Sequence, residues 1–185
     1  MSFPFYSLQA LQSGTPVQQQ AAQCLQHLEL KEKLKAYSPV LCGTIPLNLN
    51  VSGSDLDIIC EAADFRYLES ILLRHYAHLS DFSIRHTEIR RVLSLVTNFS
   101  SGDFKIEVFV QAQPVKQQYA FRHMCIEKRI LDLAGDSFCQ QVICLKAQGL
   151  KTEPAFAQLL KLQGDPYDAL LELESYRDNE ILYLL

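Results

Sequence analysis

The sequence has no excess of basic charge. Its 185 residues carry 17 Lys and Arg against 21 Asp and Glu, a formal net charge of -4. A protein that coats a nucleic-acid backbone usually needs a basic face, and so does one that lies on anionic lipid. Long DNA and membrane surfaces are therefore poor partners for this chain. No uninterrupted apolar run approaches the ~20 residues that span a bilayer. Met1 to Gly14 holds no Lys or Arg, so the basic start of a secretory leader is missing as well. None of the cysteines (Cys24, Cys42, Cys60, Cys125, Cys139 and Cys144) lies in a C-x-x-C pair. That removes the usual signature of a zinc knuckle or a redox dithiol. There is no internal repeat, and Gln18-Gln19-Gln20 is the only low-complexity tract. These absences describe an acidic globular chain, expected to be cytoplasmic, with thiols that are reduced and packed among apolar residues.

What is present is enough apolar material for a packed core, 48% of the residues. Thr15-Pro16 followed by Val17 to Tyr37 predicts a helix, with Thr15 as its cap and Pro16 in the first turn. Val40 to Leu47 reads as a strand running into a turn, and Asp55 to Cys60 as a second strand. Ala63 to Leu79 predicts an amphipathic helix whose apolar face holds Tyr67, Ile71, Leu72, Tyr76 and Leu79. Phe82 to Thr87, Val92 to Phe99 and Phe104 to Val110 read as three strands. Ser101-Gly102-Asp103 turns between the last two, and Arg90-Arg91 forms a solvated hairpin end. From Val115 on the pattern is helical, with breaks at Gly135-Asp136, Gly149 to Pro154 and Gly164-Asp165-Pro166. The expected fold is α+β, a small mixed sheet flanked by helices. Residues 1–112 would form its core and residues 113–185 a helical C-terminal region packed on that core.

The chemistry concentrates in acids. Asp55 and Asp57 are two residues apart on an expected strand, so they face the same way with roots about 6.6 Å apart. Carboxylates at that spacing can converge on a divalent ion. Leu56, Ile58 and Ile59 surround them, and carboxylates in apolar surroundings are costly without a counterion. A hard cation such as Mg²⁺ would offset that cost. In the strand from Phe104 to Val110, alternation places Phe104, Ile106, Val108 and Val110 on one face and Lys105, Glu107 and Phe109 on the other. Glu107 is then a lone acid in mid-strand. Beside the Asp55 strand it would join the cluster as ligand and as general base. Gly43-Thr44 at a strand end, with Ser52-Gly53-Ser54 just before Asp55, can offer backbone and hydroxyl donors to phosphates.

Gly43-Thr44, ten residues, Asp55-x-Asp57 and a late strand acid at Glu107 resemble the polymerase-beta-type nucleotidyltransferase superfamily. The resemblance covers about the first 112 residues. It departs at Thr44, where Ser is usual, and at Pro46 with its neighbouring asparagines, where many relatives place a short helix. A narrower resemblance, to a bacterial family of nucleotidyltransferase-like proteins of unknown function, runs through nearly the whole chain. It rests on Gly43-Thr-Ile-Pro46, Ser54-Asp-Leu-Asp-Ile-Ile-Cys60, Phe121-Arg-His123, Gly149 to Phe156 and Gly164-Asp-Pro-Tyr167.

The resemblance implies a sheet of the nucleotidyltransferase type. It also implies a nucleoside triphosphate and two Mg²⁺ (or Mn²⁺) ions held by Asp55, Asp57 and Glu107. Gly43, Thr44 and Ser54 would position phosphates. Lys105, expected on the Glu107 face, and His123, on the helix after Pro114 with Glu127 one turn on, are further phosphate candidates. Each has a plainer reading, a cross-strand ion pair for Lys105 and a histidine satisfied by Glu127 for His123. His75, His78 and His86 lack the further ligands of a zinc site.

Two functions follow. One is metal-dependent transfer of a nucleotidyl group from a nucleoside triphosphate to a hydroxyl on a small molecule, a protein or an RNA end. The other is a non-catalytic nucleotide-binding or partner-binding module on the same fold, with the leucine-rich C-terminal helices as its interface. The residues set neither the acceptor nor the oligomeric state.

Overall fold

The computed structural model describes residues 8–185. The start of the segment searched for a leader, residues 1–7, lies outside the described residues. The chain divides into two compact units. One runs to Asn48 and resumes from Gly53 to Gln118, and the other comprises Leu49–Ser52 and Tyr119–Leu185.

The first unit begins with α1 (Leu8–Gln12) and α2 (Pro16–His27). Thr15 caps α2 as expected. The Gln18 backbone N–H donates to its side chain, and the Gln18 side-chain oxygen accepts from the Thr15 N–H at 3.0 Å. The helix does not continue to Tyr37. It gives way to α3 (Leu30–Lys33) and a single 3₁₀ turn, Lys35–Tyr37. Leu28 and Leu30 explain the break. Two residues are about 200° apart around a helix, yet both side chains are buried, together with Leu25 and Leu34. The backbone reconciles them by entering the left-handed region at Glu29, with φ 52°.

The sheet order is β1-β2-β5-β4-β3, formed by β1 (Val40–Cys42), β2 (Leu56–Glu61), β3 (Ser80–Ile89), β4 (Val92–Ser101) and β5 (Phe104–Gln111). Strands β3, β4 and β5 form an antiparallel meander, and β5 then lies parallel to β2. Arg90 and Arg91 both take positive φ in the exposed β3–β4 turn. Gly102, also at positive φ, makes the β4–β5 turn. Strand β1 is shorter than expected, because Gly43 breaks it at φ 76° and Thr44 to Asn48 curl into a turn. Strand β2 begins one residue late, so Asp55 precedes it.

One face of the sheet carries Leu56, Ile58, Cys60, Leu95, Phe99, Ile106, Val108 and Val110 into the core against α2 and α4 (Phe65–Tyr76). Helix α4 buries Phe65, Leu68, Leu72 and Tyr76. Tyr67, expected on that face, is 71% exposed. The true stripe starts at Phe65, two residues earlier, and follows i, i+3, i+7, i+11. Tyr76 stacks on Phe99 at 4.9 Å and donates its hydroxyl to the Leu28 carbonyl at 3.1 Å.

Thr97 sits in the same core, fully buried, and its hydroxyl has no hydrogen-bond partner. A buried hydroxyl left unbonded costs about 1–3 kcal/mol, and Val matches Thr in shape and in strand preference. Thr97→Val is therefore expected to raise the stability of the chain by about 1 kcal/mol, read from urea denaturation midpoints.

The second unit holds α5 (Tyr119–Ala134), α6 (Asp136–Ala147), α7 (Thr152–Leu159), α8 (Pro166–Glu172) and α9 (Asp178–Leu182). Its core joins Phe121, Met124, Ile130, Phe138, Val142, Phe156, Leu170 and Ile181. Phe138 meets Phe156 edge to face at 5.5 Å. Asp165 caps α8, accepting from Tyr167 N and Asp168 N ahead of Pro166 in the first turn. Pro154 lies in the first turn of α7 instead of ending a break.

All six cysteines are free thiols. Cys42 and Cys60 are buried as expected, and burial pushes Cys60 up to about 12. Cys144, expected among apolar neighbours, is exposed. Among the described residues, no helix is long and apolar enough to cross a membrane.

Candidate active site

The pairing of β2 with β5 sets Asp57 directly opposite Glu107. Both side chains are half-buried. Alternation along β5 alone predicted Glu107 off the core face, and the pattern of burial follows it. Phe104, Ile106 and Val108 are buried, Lys105 is exposed and Glu107 half-buried. What alternation could not give was the neighbour. The parallel register makes Asp57 and Glu107 a side-by-side pair, and β1 adds Cys42 on the far side of Asp57.

Gly43 closes the site from below. A Cβ on this residue would lie 2.2 Å from Asp57 Oδ2, and its backbone is held at φ 76°. The carboxylate of Asp57 thus rests on the Gly43 backbone, where only a residue without a side chain fits. Thr44 follows in the same half-buried turn, and Gln18 fixes that turn by donating from Nε2 to the Ile45 carbonyl at 2.8 Å. Ser54 is half-buried and Asp55 exposed, both in the loop before β2. Lys105 pairs with Ser100 across the β4–β5 ladder, two residues before Glu107 and on the same side of the strand.

Among the described residues, no three His, Cys, Asp or Glu side chains come together as a group able to hold a metal ion. Asp57 and Glu107 still suit Mg²⁺. That ion keeps several waters and is commonly held by one or two carboxylates plus substrate phosphates, so a complete protein cage is not required. The glycine-floored carboxylate beside a second one is the right donor chemistry for it.

Sequence reasoning missed two residues here. Asn98 on β4 is the register partner of Glu107. If its amide oxygen faced Glu107, two acceptors would meet, and its nitrogen would face a guanidinium. The reverse orientation satisfies both neighbours. Asn98 Nδ2 then donates to Glu107 Oε2 at 3.3 Å, and its Oδ1 accepts from Arg85 Nη1 at 3.1 Å. Alternation on β4 and β3 was readable, but nothing in the sequence marked these two positions as facing Glu107.

His123 belongs to the second unit. Its Nε2–H donates to the Tyr167 carbonyl at 2.9 Å, and its Nδ1 lies 3.7 Å from Glu153 Oε1. The carbonyl can only accept, which places a proton on Nε2. Its partners are thus Tyr167 and Glu153, not the Glu127 one turn on. Glu127 is buried nearby, and burial, with Glu153 adding to it, holds its carboxyl well above the usual range against the pull of Lys146. Lys146 Nζ in turn donates to Thr152 Oγ1 at 2.8 Å. This network joins Phe121-Arg-His123, the Gly149 to Phe156 segment and Gly164-Asp-Pro-Tyr167, three separate stretches of the chain.

Residues 23–173 match a family model described as a domain of unknown function (DUF4269). No curated protein matches the chain in sequence. Among solved structures it is similar to a chain of the GLD-2/RNP-8 complex, with TM-score 0.51 and 12% identity over 84% of this chain and 58% of that one. It is also similar to Cid1, in a structure described for its RNA terminal uridylyl transferase activity. There the TM-score is 0.49 and the identity 14% over 82% of this chain and 46% of that one. A third similarity is to the polymerase core of TRAMP, an RNA surveillance complex, with TM-score 0.49 and 13% identity over 93% and 58%. The chain spans about half the length of these structures. The architecture shared with the chain of the GLD-2/RNP-8 complex is α+β, a mixed sheet flanked by helices.

Proposed function

This chain belongs to the DUF4269 family, and from that premise we propose that it moves a nucleotidyl group from a nucleoside triphosphate to a hydroxyl acceptor, releasing pyrophosphate. The observation that supports this best is the half-buried pair Asp57–Glu107 on adjacent parallel strands, floored by Gly43. Two carboxylates held together in a partly dry site are costly to keep ionised, and a divalent cation removes the cost.

In this reading Asp57 and Glu107 would hold Mg²⁺ or Mn²⁺ together with substrate phosphates, and Asp55 would have to swing in from its exposed loop for the three to hold two ions. Bound there, the ions would polarise the α-phosphate and lower the pKa of the acceptor hydroxyl. Glu107 also offers a carboxylate oxygen to take the proton of that hydroxyl. The turn from Gly43 to Thr44, Ser54 and Lys105 would orient the triphosphate. His123, the remaining phosphate candidate, is held by Tyr167 and Glu153 within the helical unit. The core of residues 1–112 would carry the chemistry.

Incubation with each labelled nucleoside triphosphate, Mg²⁺ or Mn²⁺ and a panel of small-molecule, protein and RNA-end acceptors tests the reading. Pyrophosphate should appear only with both metal and acceptor. Binding of triphosphate that is indifferent to metal would count against the ion site.

A further inference from the structure

The carboxylate of Glu107 is flanked on its β4 side by Asn98, whose amide is itself fixed by a guanidinium. Asn98 and Glu107 are opposite one another in the β4–β5 ladder. In the one amide orientation that satisfies both neighbours, Arg85 Nη1 donates to Asn98 Oδ1 and Asn98 Nδ2 donates to Glu107 Oε2, at 3.1 and 3.3 Å. The chain of donors runs one way, from a permanently charged group to a carboxylate. Arg85 is exposed on the edge strand β3, while Asn98 and Glu107 are half-buried. An arginine that met Glu107 directly would neutralise it and compete with any cation. An amide placed between them donates one hydrogen bond and carries no charge.

We propose that Asn98 is a positioning residue for Glu107, and that Arg85 locks the amide in the orientation this requires. The proposal rests on the reading of Glu107 as a metal-binding carboxylate. A hydrogen bond from Asn98 limits the rotamers open to Glu107 and engages one face of the carboxylate from β4. Outer partners of this kind orient ligands for metals, and their loss typically weakens metal binding by about 10–100-fold. Without Arg85 the Asn98 amide is free to turn, and its oxygen then opposes Glu107.

The test is Mn²⁺ binding to the full chain, measured by titration calorimetry without nucleotide, alongside thermal unfolding of each variant. Asn98→Thr puts a strand-favouring β-branched residue at this position but is too short to bridge. It should weaken Mn²⁺ binding about 10-fold or more while the melting temperature stays near that of the wild type. Arg85→Met, on the exposed edge, should act in the same direction to a smaller extent, and it serves if Asn98→Thr fails to fold. Glu107→Gln is the reference. If Glu107→Gln weakens Mn²⁺ binding but neither Asn98→Thr nor Arg85→Met does, the positioning role is overturned and the metal site stands. A change in melting temperature with Mn²⁺ affinity intact also overturns it, because the residues would then be structural only. If Glu107→Gln itself leaves Mn²⁺ binding unchanged, the metal-site reading fails and takes this inference with it.

Discussion

Asp57→Asn should abolish pyrophosphate release while leaving the fold in place. The substitution keeps the side chain's shape over Gly43 and removes its charge. In the proposed reading two things would be lost together, an anionic ligand for a divalent ion and the negative partner with which Glu107 would hold it. Metal-borne stabilisation of a phosphoryl transition state is worth several kcal/mol, and each 1.4 kcal/mol is tenfold in rate, so a fall on the order of 10³-fold is expected. The measurement is the initial rate of labelled pyrophosphate release at saturating Mg²⁺, with circular dichroism to show that the variant folds. Nucleotide binding in the absence of metal should change far less. An Asp57→Asn enzyme that retains most of its rate would mean that the chemistry lies elsewhere. Asp57 is the residue to test because its neighbours are fixed by the backbone. Its register partners are Cys42 and Glu107, and Gly43 approaches it so closely that no side chain could stand between.

How far this site could be read from the sequence depended on distance along the chain. Asp57 and Glu107 were legible as candidates because a strand alternates, and an acid among Leu56, Ile58 and Ile59, or between Ile106 and Val108, stands out against that period. Their contact was not legible from alternation. It depends on β5 inserting beside β2, a parallel pairing that skips two strands and a helix in sequence. The register of β2 with β5 supplies it. Asn98 and Arg85 lay on strands that were read correctly, yet a polar residue at a half-exposed strand position has no mark of its own. Cross-strand partners are set by hairpin register. A one-residue slip would have turned both away.

Within the helices the departures from the expected pattern are local and have specific causes. Tyr67 is large and apolar in part, yet it stands outside the buried stripe of α4. The stripe from Phe65 through Leu68, Leu72 and Tyr76 was equally visible in the spacing. The break at Glu29 was also present in the sequence, since Leu28 and Leu30 cannot share one helical face. The polar network around His123 was beyond any local reading. Its members come from α5, α6, α7 and the Tyr167 carbonyl at the start of α8, and helix packing alone brings them together.

That network carries a second large effect, on stability and not on activity. Glu127 is buried in the helical unit and its carboxyl is held well above the usual range by burial first and by Glu153 second, with Lys146 opposing. The groups facing it are therefore one acid that shares its difficulty, one base that relieves part of it, and His123 through Glu153. In the unfolded chain Glu127 titrates near 4.5. Between that pH and its raised folded value, the native state holds more protons than the unfolded state. Stability must then fall as pH rises through this window and level off above it. The slope is about 1.4 kcal/mol per pH unit for one proton, or about 3–6 °C in melting temperature for a chain of this size. Glu127→Gln matches the protonated acid in shape and can donate as it does, but it does not titrate. The variant should melt close to the wild type near pH 4 and progressively above it from pH 5 to pH 8. Thermal unfolding followed by circular dichroism across that range gives the comparison. Parallel curves for the two proteins would show that Glu127 ionises in the folded unit as readily as in water, with Lys146 carrying its charge. A gap that widens with pH would show that the unit is built around a neutral carboxyl, and that raising the pH strains the helices which hold His123 and Glu153 in place.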